Sequence, residues 1–319
     1  EYDAPPELGH GCGHNLIAMV SVGCGIACRE FADEYGAQID VIGTPAEETA
    51  GTKVPMSAKG VFDGYDAVMM AHPAFANAES INTIAMDAYK IEFFGRPAHA
   101  AAAPHEGINA LDAMINFFNL VNAMRQQTKP DARIHGIITD GGKAANVIPD
   151  YTAANFYIRA NRVADVKKLA ERVRNCAAGA ALGTGCTYKM KYNEENFKDT
   201  CTNKAWNNLA VDNIQPFLSE PIYRLGDIHA PGSSDLGDVS YEAPAIQVIF
   251  KIGEYPNPMG GGHTPEMAAA AGSEYGINNG LNFVKGLVMT AIELMTKPEA
   301  LAAVKEEFSH VNDEPVMQF

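Results

Sequence analysis

Two side chains that suit soft or borderline metals stand two residues apart near the start of the 319-residue chain. Cys12 and His14 lie in residues 9–15, where glycine fills every second position between 9 and 13. Glycine lets backbone and neighbouring side chains approach one point, and a thiolate with an imidazole suits zinc or a similar metal. A buried cysteine in a glycine-rich turn, beside an incidental histidine, is the structural alternative.

A pair of adjacent carboxylates, Glu47 and Glu48, follows the apolar, β-prone residues 38–43. Like charges this close repel each other and raise a pKa unless a positive group holds them, and a metal ion is the simplest such group. A solvated acidic turn would have the same sequence.

Two histidines follow other predicted strands. His72 comes directly after residues 65–71, and His263 lies in a glycine-rich loop beyond residues 245–252. Because ligands of an open α/β sheet bind beyond the carboxyl ends of its strands, we expect these histidines beside the carboxylate pair. A lone histidine there is more often a loop residue, but three strand ends with ligand-type side chains favour one shared site.

The candidate ligands are too many for one ion. They comprise one thiolate, three imidazoles and one or two carboxylates, whereas zinc is usually four-coordinate. Two divalent metal ions that share a ligand fit better. Zinc or manganese is expected, and cobalt and nickel are compatible with such a mixed set.

The elements that must position these residues fall into two groups. A helix at residues 17–31, the strands named above, and helices at residues 204–217 and 273–295 form one pattern. Between these elements, the composition changes near Met86. The order that follows, strand, helix, strand, strand, helix, strand, predicts a split-βαβ sandwich. Its predicted segments are residues 89–94, 108–125, 133–139, 152–159, 163–181 and 186–192. We therefore predict a domain at residues 86–196 inserted into one formed by residues 1–85 and 197–319.

Composition narrows the class of protein. The net charge of −15, without a Lys/Arg stripe, disfavours nucleic acid as a partner. No run of about 18 apolar residues predicts a membrane span. Six cysteines are too sparse for a disulfide scaffold, so a reducing cytoplasm and small-molecule partners are expected, and the start shows no signal peptide.

Several motifs, in order along nearly the whole chain, resemble the aminobenzoyl-glutamate hydrolase and indole-acetyl-amino-acid hydrolase branch of the aminoacylase/carboxypeptidase metallopeptidases. The subgroup with β-alanyl-lysine-type dipeptidases is most similar. The matching segments are residues 1–4, 9–15, 44–48, 95–101, 109–113, 135–138 and 146–149.

The resemblance implies an α/β fold: a central-sheet di-metal peptidase domain with an inserted ferredoxin-like α+β lid, which also forms a homodimer. The activity implied is hydrolysis of the amide bond in a small N-acyl amino acid, an aminobenzoyl-glutamate-like amide or a dipeptide. The implied metal ligands are Cys12, His14, Glu48, His72 and His263.

Other roles carry over to individual residues. Glu47 is implied as general base, and His99 as the lid residue that holds the substrate carbonyl, although His99 could instead cap a turn. Asn146 and Arg159 are implied substrate contacts. Asp3 is expected to orient a ligand imidazole, with a turn residue as the alternative.

The sequence departs from the family in three places. The family's catalytic domain begins earlier, so we expect an N-terminal helix and strand to be lacking. Residues 232–235 read Gly-Ser-Ser-Asp instead of Gly-Ser-Glu-Asp, which leaves substrate selection open, and Thr264 replaces a serine after His263.

Two other classes of function remain as alternatives. One is a non-catalytic, metal-binding relative that acts as a scaffold. The other is a thiol redox protein using Cys12, which the lack of a second cysteine nearby disfavours.

Overall fold

The computed structural model describes residues 8–226, 228–230, 232–257 and 261–311. The chain forms two compact units: residues 1–83 with 200–319, called here the discontinuous unit, and residues 84–199, called the inserted unit. The sequence predicts the insert at residues 86–196.

The helices and strands are numbered in chain order. They are α1 His14–Tyr35, α2 Glu47–Ala50, α3 Lys53–Ala58, β1 Val68–Ala74, β2 Ala85–Phe94, α4 Ala110–Met124, β3 Arg133–Asp140, β4 Tyr151–Ala160, α5 Val163–Thr184, β5 Thr187–Tyr192, α6 Lys204–Ile214, α7 Leu236–Val239, β6 Ala245–Lys251, α8 Pro265–Ala271, α9 Glu274–Thr296 and α10 Pro298–Ser309. Short 3₁₀ helices lie at Pro104–Glu106, Arg125–Gln127 and Gln215–Phe217.

A parallel sheet of β1 and β6 lies in the core of the discontinuous unit, with His72 opposite Ile249. Helix α1 packs one side into this core, because its apolar residues recur every fourth position. Each large apolar side chain buried here contributes about 1.5–3 kcal/mol. The buried residues of α1 are Leu16, Val20, Cys24, Cys28 and Ala32, and the core also includes Trp206, Ile214, Phe250 and Phe283.

The strand predicted at residues 38–43 is wrong. These residues form neither helix nor strand, and among the described residues no strand pairs with them. Asp40 instead accepts hydrogen bonds from Tyr65 Oη at 2.6 Å and Gln38 Nε2 at 2.8 Å. A β-prone run becomes a strand only when a neighbour supplies the ladder.

The predicted end of the strand before Pro73 is also wrong, because β1 continues through Pro73 to Ala74. Pro73 lies opposite Phe250 in the ladder. A proline is tolerated where its nitrogen faces away from the pairing strand, and β6 is the partner of β1 within the described ranges.

One helix in the described part of the chain, α1, is long and apolar enough to cross a membrane by length and composition. No such segment is expected from the apolar runs of the sequence. Core helices of globular proteins also pass this test, and α1 contributes Leu16, Val20, Cys24 and Cys28 to the core of its unit.

The inserted unit is a four-stranded antiparallel sheet in the order β3-β4-β2-β5. Helices α4 and α5 pack on the sheet over one core, which contains Ile91, Phe93, Phe117, Phe156 and Val173. This βαββαβ order with split pairing is the ferredoxin-like arrangement. The predicted fold class, an α/β protein with a central-sheet domain and an inserted ferredoxin-like domain, is confirmed, and the pairing of β1 with β6 is parallel.

The chain leaves the discontinuous unit at Thr83 and returns at Thr200. The two hydroxyl oxygens lie 2.6 Å apart, and Thr200 N donates to the Thr83 carbonyl at 3.3 Å. Both side chains are buried. The ends of the insertion are therefore joined directly to each other.

Candidate metal centre

The glycine-rich turn before α1 brings Cys12 and His14 against β1. Gly13 has φ +73°, and a Cβ there would lie 2.6 Å from Pro73 Cγ, so only glycine fits. His14 begins α1 immediately afterwards. The thiol and the imidazole are thus fixed beside the end of the strand that carries His72.

His72 is oriented by its own strand. Its Nδ1 donates to the Pro73 carbonyl at 2.8 Å, which leaves Nε2 for a ligand, and Nε2 lies 3.7 Å from Cys12 Sγ. A second hydrogen bond of this kind fixes the tautomer of many metal-binding histidines. Burial lowers the pKa of His72, although the bond to Pro73 opposes this shift.

The carboxylate pair lies on the four-residue helix α2. Ala46, directly before it, has φ 62°, and its carbonyl accepts from Ala50 N at 2.8 Å and Gly51 N at 3.0 Å. This tight turn holds Glu47 and Glu48 at the start of the helix.

His263 reaches the same place from far along the chain. Its backbone N donates to the Gly11 carbonyl at 2.8 Å, and its Nε2 lies 2.9 Å from Glu48 Oε1. Gly261, two residues before His263, lies against the stacked rings of Phe75 and Tyr255. A Cβ at Gly261 would come within 2.7 Å of Phe75. The glycine-rich turns around Cys12 and His263 therefore contact each other directly.

These side chains form one cluster of potential metal donors. Three overlapping groups have ligand atoms within 4.8 Å of one another: Cys12 with His14 and His72, Cys12 with Glu48 and His263, and His14 with Glu47 and Glu48. A thiolate, imidazoles and carboxylates at this spacing match the donors that zinc and related ions take. The residues present therefore fit divalent metal ions.

Electrostatics keep His14 in the neutral form that a metal requires. Burial, followed by the nearby His72, lowers the pKa of His14 to about 4, against the opposing effect of Glu48. At neutral pH the imidazole lone pair is available without release of a proton.

His99 and Asn146 lie together in the inserted unit. His99 pairs with Val147 in an isolated antiparallel bridge, and Ala100 N donates to the Asn146 carbonyl at 3.0 Å. Nδ1 of His99 accepts from the backbone N of Ala101 at 3.3 Å and of Ala102 at 3.2 Å. His99 thus does cap a turn, and in its neutral form the ring carries its proton on Nε2.

Arg159 lies on β4 of the same unit, in a group of aromatic and basic side chains. Its guanidinium lies 5.6 Å from the centre of the Tyr157 ring. His135, on the neighbouring strand β3, lies opposite Tyr157 in the ladder. Burial lowers the pKa of His135, and the positive charges of Arg159 and Arg125 lower it further. Two arginines thus act on His135 at this part of the sheet, while Tyr157 Oη donates to Glu194 at 2.8 Å.

The structure adds a pair that the motifs did not single out, Lys53 and Asp235, which form a buried ion pair with a 2.7 Å contact. The only sequence signal was Asp235 at the end of the altered tetrapeptide, residues 232–235. Asp3, the expected orienting residue, lies outside the described residues.

Fold and donor cluster together define a metal-dependent hydrolase of the two-domain peptidase type. Residues 85–184 match the family model of a peptidase dimerisation domain. The chain is 37% identical over 313 residues to a mouse (Mus musculus) Xaa-Arg dipeptidase, an alignment that covers 97% of this chain and 72% of that protein. It is 36% identical over 194 residues to one of the p-aminobenzoyl-glutamate hydrolase chains of Escherichia coli, covering 60% and 40% respectively.

The fold agrees with solved structures. A dinuclear metal binding peptidase of the M20 family from Bacillus subtilis superposes with a TM-score of 0.61 at 17% identity, covering 88% of this chain and 73% of that one. The chain belongs to the M20 family of metal-dependent peptidases and amidohydrolases, which confirms the resemblance, and it is a hydrolytic enzyme that cleaves amide bonds. The non-catalytic alternative gains no support.

Proposed function

We propose that this chain hydrolyses a dipeptide or a small N-acyl amino acid at a centre of two divalent metal ions. Cys12, His14, Glu48, His72 and His263 would hold the ions. The observation that carries the proposal is the set of three overlapping donor groups within 4.8 Å, since two ions that share ligands need such overlap.

When bound, the ions supply Lewis acidity, which acidifies a water molecule and polarises the scissile carbonyl. Zinc or manganese is the expected metal, and the mixed thiolate, imidazole and carboxylate set also accommodates cobalt or nickel. His14 and His72 favour the neutral form that binds a metal, because burial lowers the pKa of His14 to about 4 and also lowers the pKa of His72.

Glu47 is the proposed general base. Its carboxylate lies within 4.8 Å of the donor atoms of His14 and Glu48, on the helix that carries the ligand itself. It takes the proton of the attacking water and returns it to the leaving amine. One carboxylate thus serves as base and then as acid.

His99 is the proposed donor to the substrate carbonyl. Because Nδ1 accepts two backbone N–H groups, the Nε2–H points away from the turn as a hydrogen-bond donor. A donor of this kind stabilises the negative charge that develops on the carbonyl oxygen during attack.

Arg159 and Asn146 are the proposed contacts for the rest of the substrate. Arg159 would bind a carboxylate, because a guanidinium offers paired donors of matching geometry, and Tyr157 supports its side chain. Asn146, in the turn beside His99, would supply a polar contact. The relatives above are named for dipeptides and for aminobenzoyl-glutamate, and both classes are candidate substrates.

A homodimer through the inserted unit is also proposed. β3 is an edge strand with Ile137 67% and Ile138 42% exposed, and an apolar edge is a template for pairing with another strand. The match to a peptidase dimerisation domain over residues 85–184 supports a second copy of this chain as the occupant.

The test of the catalytic assignment is Glu47→Gln. We expect the variant to bind about two metal ions per chain, as the parent does, and to lose about 10²–10⁴-fold in kcat because the base is gone while every ligand remains. Metal content is measured by elemental analysis, and turnover on an Xaa-Arg dipeptide, β-alanyl-lysine, p-aminobenzoyl-glutamate and an N-acetyl amino acid.

Glu48→Gln is the matched control, since it makes the same change one residue away. It should lose metal as well as turnover. Near-parental turnover in Glu47→Gln would show that Glu47 is not the base. A parent protein that binds metal but cleaves none of these substrates would favour the non-catalytic, metal-binding scaffold.

A further inference from the structure

Helix α2 carries the proposed base and the proposed ligand Glu48, but it is too short to pack into the core. It spans four residues, Glu47–Ala50, and contributes no buried residue to the core. Its internal support is the Ala46 carbonyl, which accepts backbone N–H groups from the helix. Glu48 contacts His263 at 2.9 Å, and the backbone of the helix is placed by what holds the chain on either side.

The anchor on the carboxyl side is Lys53, the first residue of α3. Only Gly51 and Thr52 separate it from α2. Its side chain is 9% exposed, and Nζ contacts Oδ1 of Asp235 at 2.7 Å. Asp235 is 0% exposed, so the ion pair is sealed from water.

Asp235 also holds the backbone of the same residue. Its Oδ2 accepts from Lys53 N at 3.1 Å, while the side chain of Thr52, at the cap position of α3, makes no capping bond. A carboxylate 182 residues away thus replaces the local cap. It fixes both the backbone and the side chain of Lys53.

This ion pair matters more for the position of the turn that carries Glu47 and Glu48 than for the free energy of unfolding. A buried ion pair gains little net free energy, because desolvation offsets most of the attraction. Asp235 is itself held in place, since the following residues Leu236 and Val239 of α7 pack with Phe62 in a small separate core. The pair therefore ties the base-carrying turn to a fixed element.

We propose that Asp235 is a positioning residue for Glu47 and Glu48, and that it acts through Lys53. The inference rests on the proposed function, because Glu47 and Glu48 matter only as base and ligand. It also gives the aspartate of residues 232–235 a role that does not require contact with substrate.

The experiment removes both charges at once with the double variant Lys53→Met/Asp235→Asn. Partners that orient metal ligands typically account for about 10–100-fold in metal affinity or activity, so we expect zinc affinity and kcat at saturating zinc to fall by about that factor. KM should change by less than about threefold. Zinc affinity is measured on the apo protein by competition with a chromophoric chelator.

The control is Lys129→Met/Asp165→Asn, which removes an ion pair of similar length, 2.6 Å, from the inserted unit. We expect it to leave zinc affinity unchanged. If both double variants lower the Tm of the apo protein equally and neither changes zinc affinity or kcat, the Lys53–Asp235 pair is only structural and the inference is wrong.

Asp235→Glu covers the case in which the double variant does not fold. It keeps the charge but moves the carboxylate by one methylene, so we expect a folded protein with weaker zinc binding. Unchanged zinc affinity and kcat in Asp235→Glu would also overturn the inference. A parent protein without zinc binding or turnover would instead overturn the proposed function, so the two failures are distinguishable.

Discussion

At the residue scale, the non-glycine positions with positive φ among those described are Ala46 and His263. One precedes the proposed base, and the other is a proposed ligand. The left-handed region costs a residue with a Cβ roughly 1–2 kcal/mol, and such cost persists only where surrounding structure enforces it. Backbone strain is therefore concentrated at the metal centre.

Ala46→Gly tests this strain. Glycine adopts φ 62° without steric cost, so we expect the apo protein to gain about 0.5–1 kcal/mol in free energy of unfolding. Ala50→Gly, four residues on with an ordinary helical backbone, should instead lose a similar amount. Urea denaturation of both apo proteins gives the comparison, and equal destabilisation of the two would show that Ala46 is not strained.

The candidate ligands could be predicted because their residue types bind metals and because they lie beside glycine-rich turns or predicted strand ends. The sequence indicated Cys12, His14, Glu48, His72 and His263, and the structure brings all five together with Glu47. Lys53 and Asp235 could not be predicted in the same way. Nothing in a pattern of charges couples two residues separated by 182 positions.

At the scale of helices and strands, the elements of the inserted unit were predicted close to their bounds, because the long helices have a clear apolar pattern. Helix α5, predicted at residues 163–181, runs Val163–Thr184. The short helices α2, α3 and α7 were missed, since four to six residues are too few to show helical periodicity. Residues 38–43 have high β-propensity but form no strand, because no strand among the described residues pairs with them.

Buried Glu79 anchors the segment after Tyr223 in a way that pH should reveal. Its carboxylate accepts from Gly226 N at 2.8 Å, Asn207 Nδ2 at 3.0 Å and Arg224 at 3.2 Å, as well as from Leu225 N. Burial alone would raise the pKa of Glu79, but these hydrogen bonds outweigh it and the pKa is lowered.

We therefore expect Glu79→Gln to reduce the free energy of unfolding at pH 7 by about 1.5–3 kcal/mol, as for hydrogen bonds to a charged group. Because the folded pKa lies below the unfolded one, the contribution is complete above the unfolded value and is lost as pH falls through the folded value. Urea titrations from pH 7 to pH 3 measure this. Exposed Glu34→Gln is the control, and a constant deficit at every pH would contradict the assignment.

At the scale of the whole molecule, the edge strand β3 controls assembly in the proposed dimer. Ile137→Lys places a charge on the most exposed apolar residue of that edge, at 67% exposure. Edge lysines block strand pairing, so we expect a dimer to become a monomer in analytical ultracentrifugation. Leu182→Lys, which changes an 86% exposed residue on α5, is the matched control and should stay dimeric. A dimer that survives Ile137→Lys would place the interface elsewhere.

The hydrogen-bonded ends of the insertion at Thr83 and Thr200 have a consequence for the gene. Because the chain leaves and re-enters at one point, the coding segment for residues 84–199 could be excised and the reading frame sealed with a short linker. The remaining polypeptide would still run continuously through its own core. The inserted unit is thus one continuous segment of the gene with adjacent ends, so a single recombination event would be enough to transfer it.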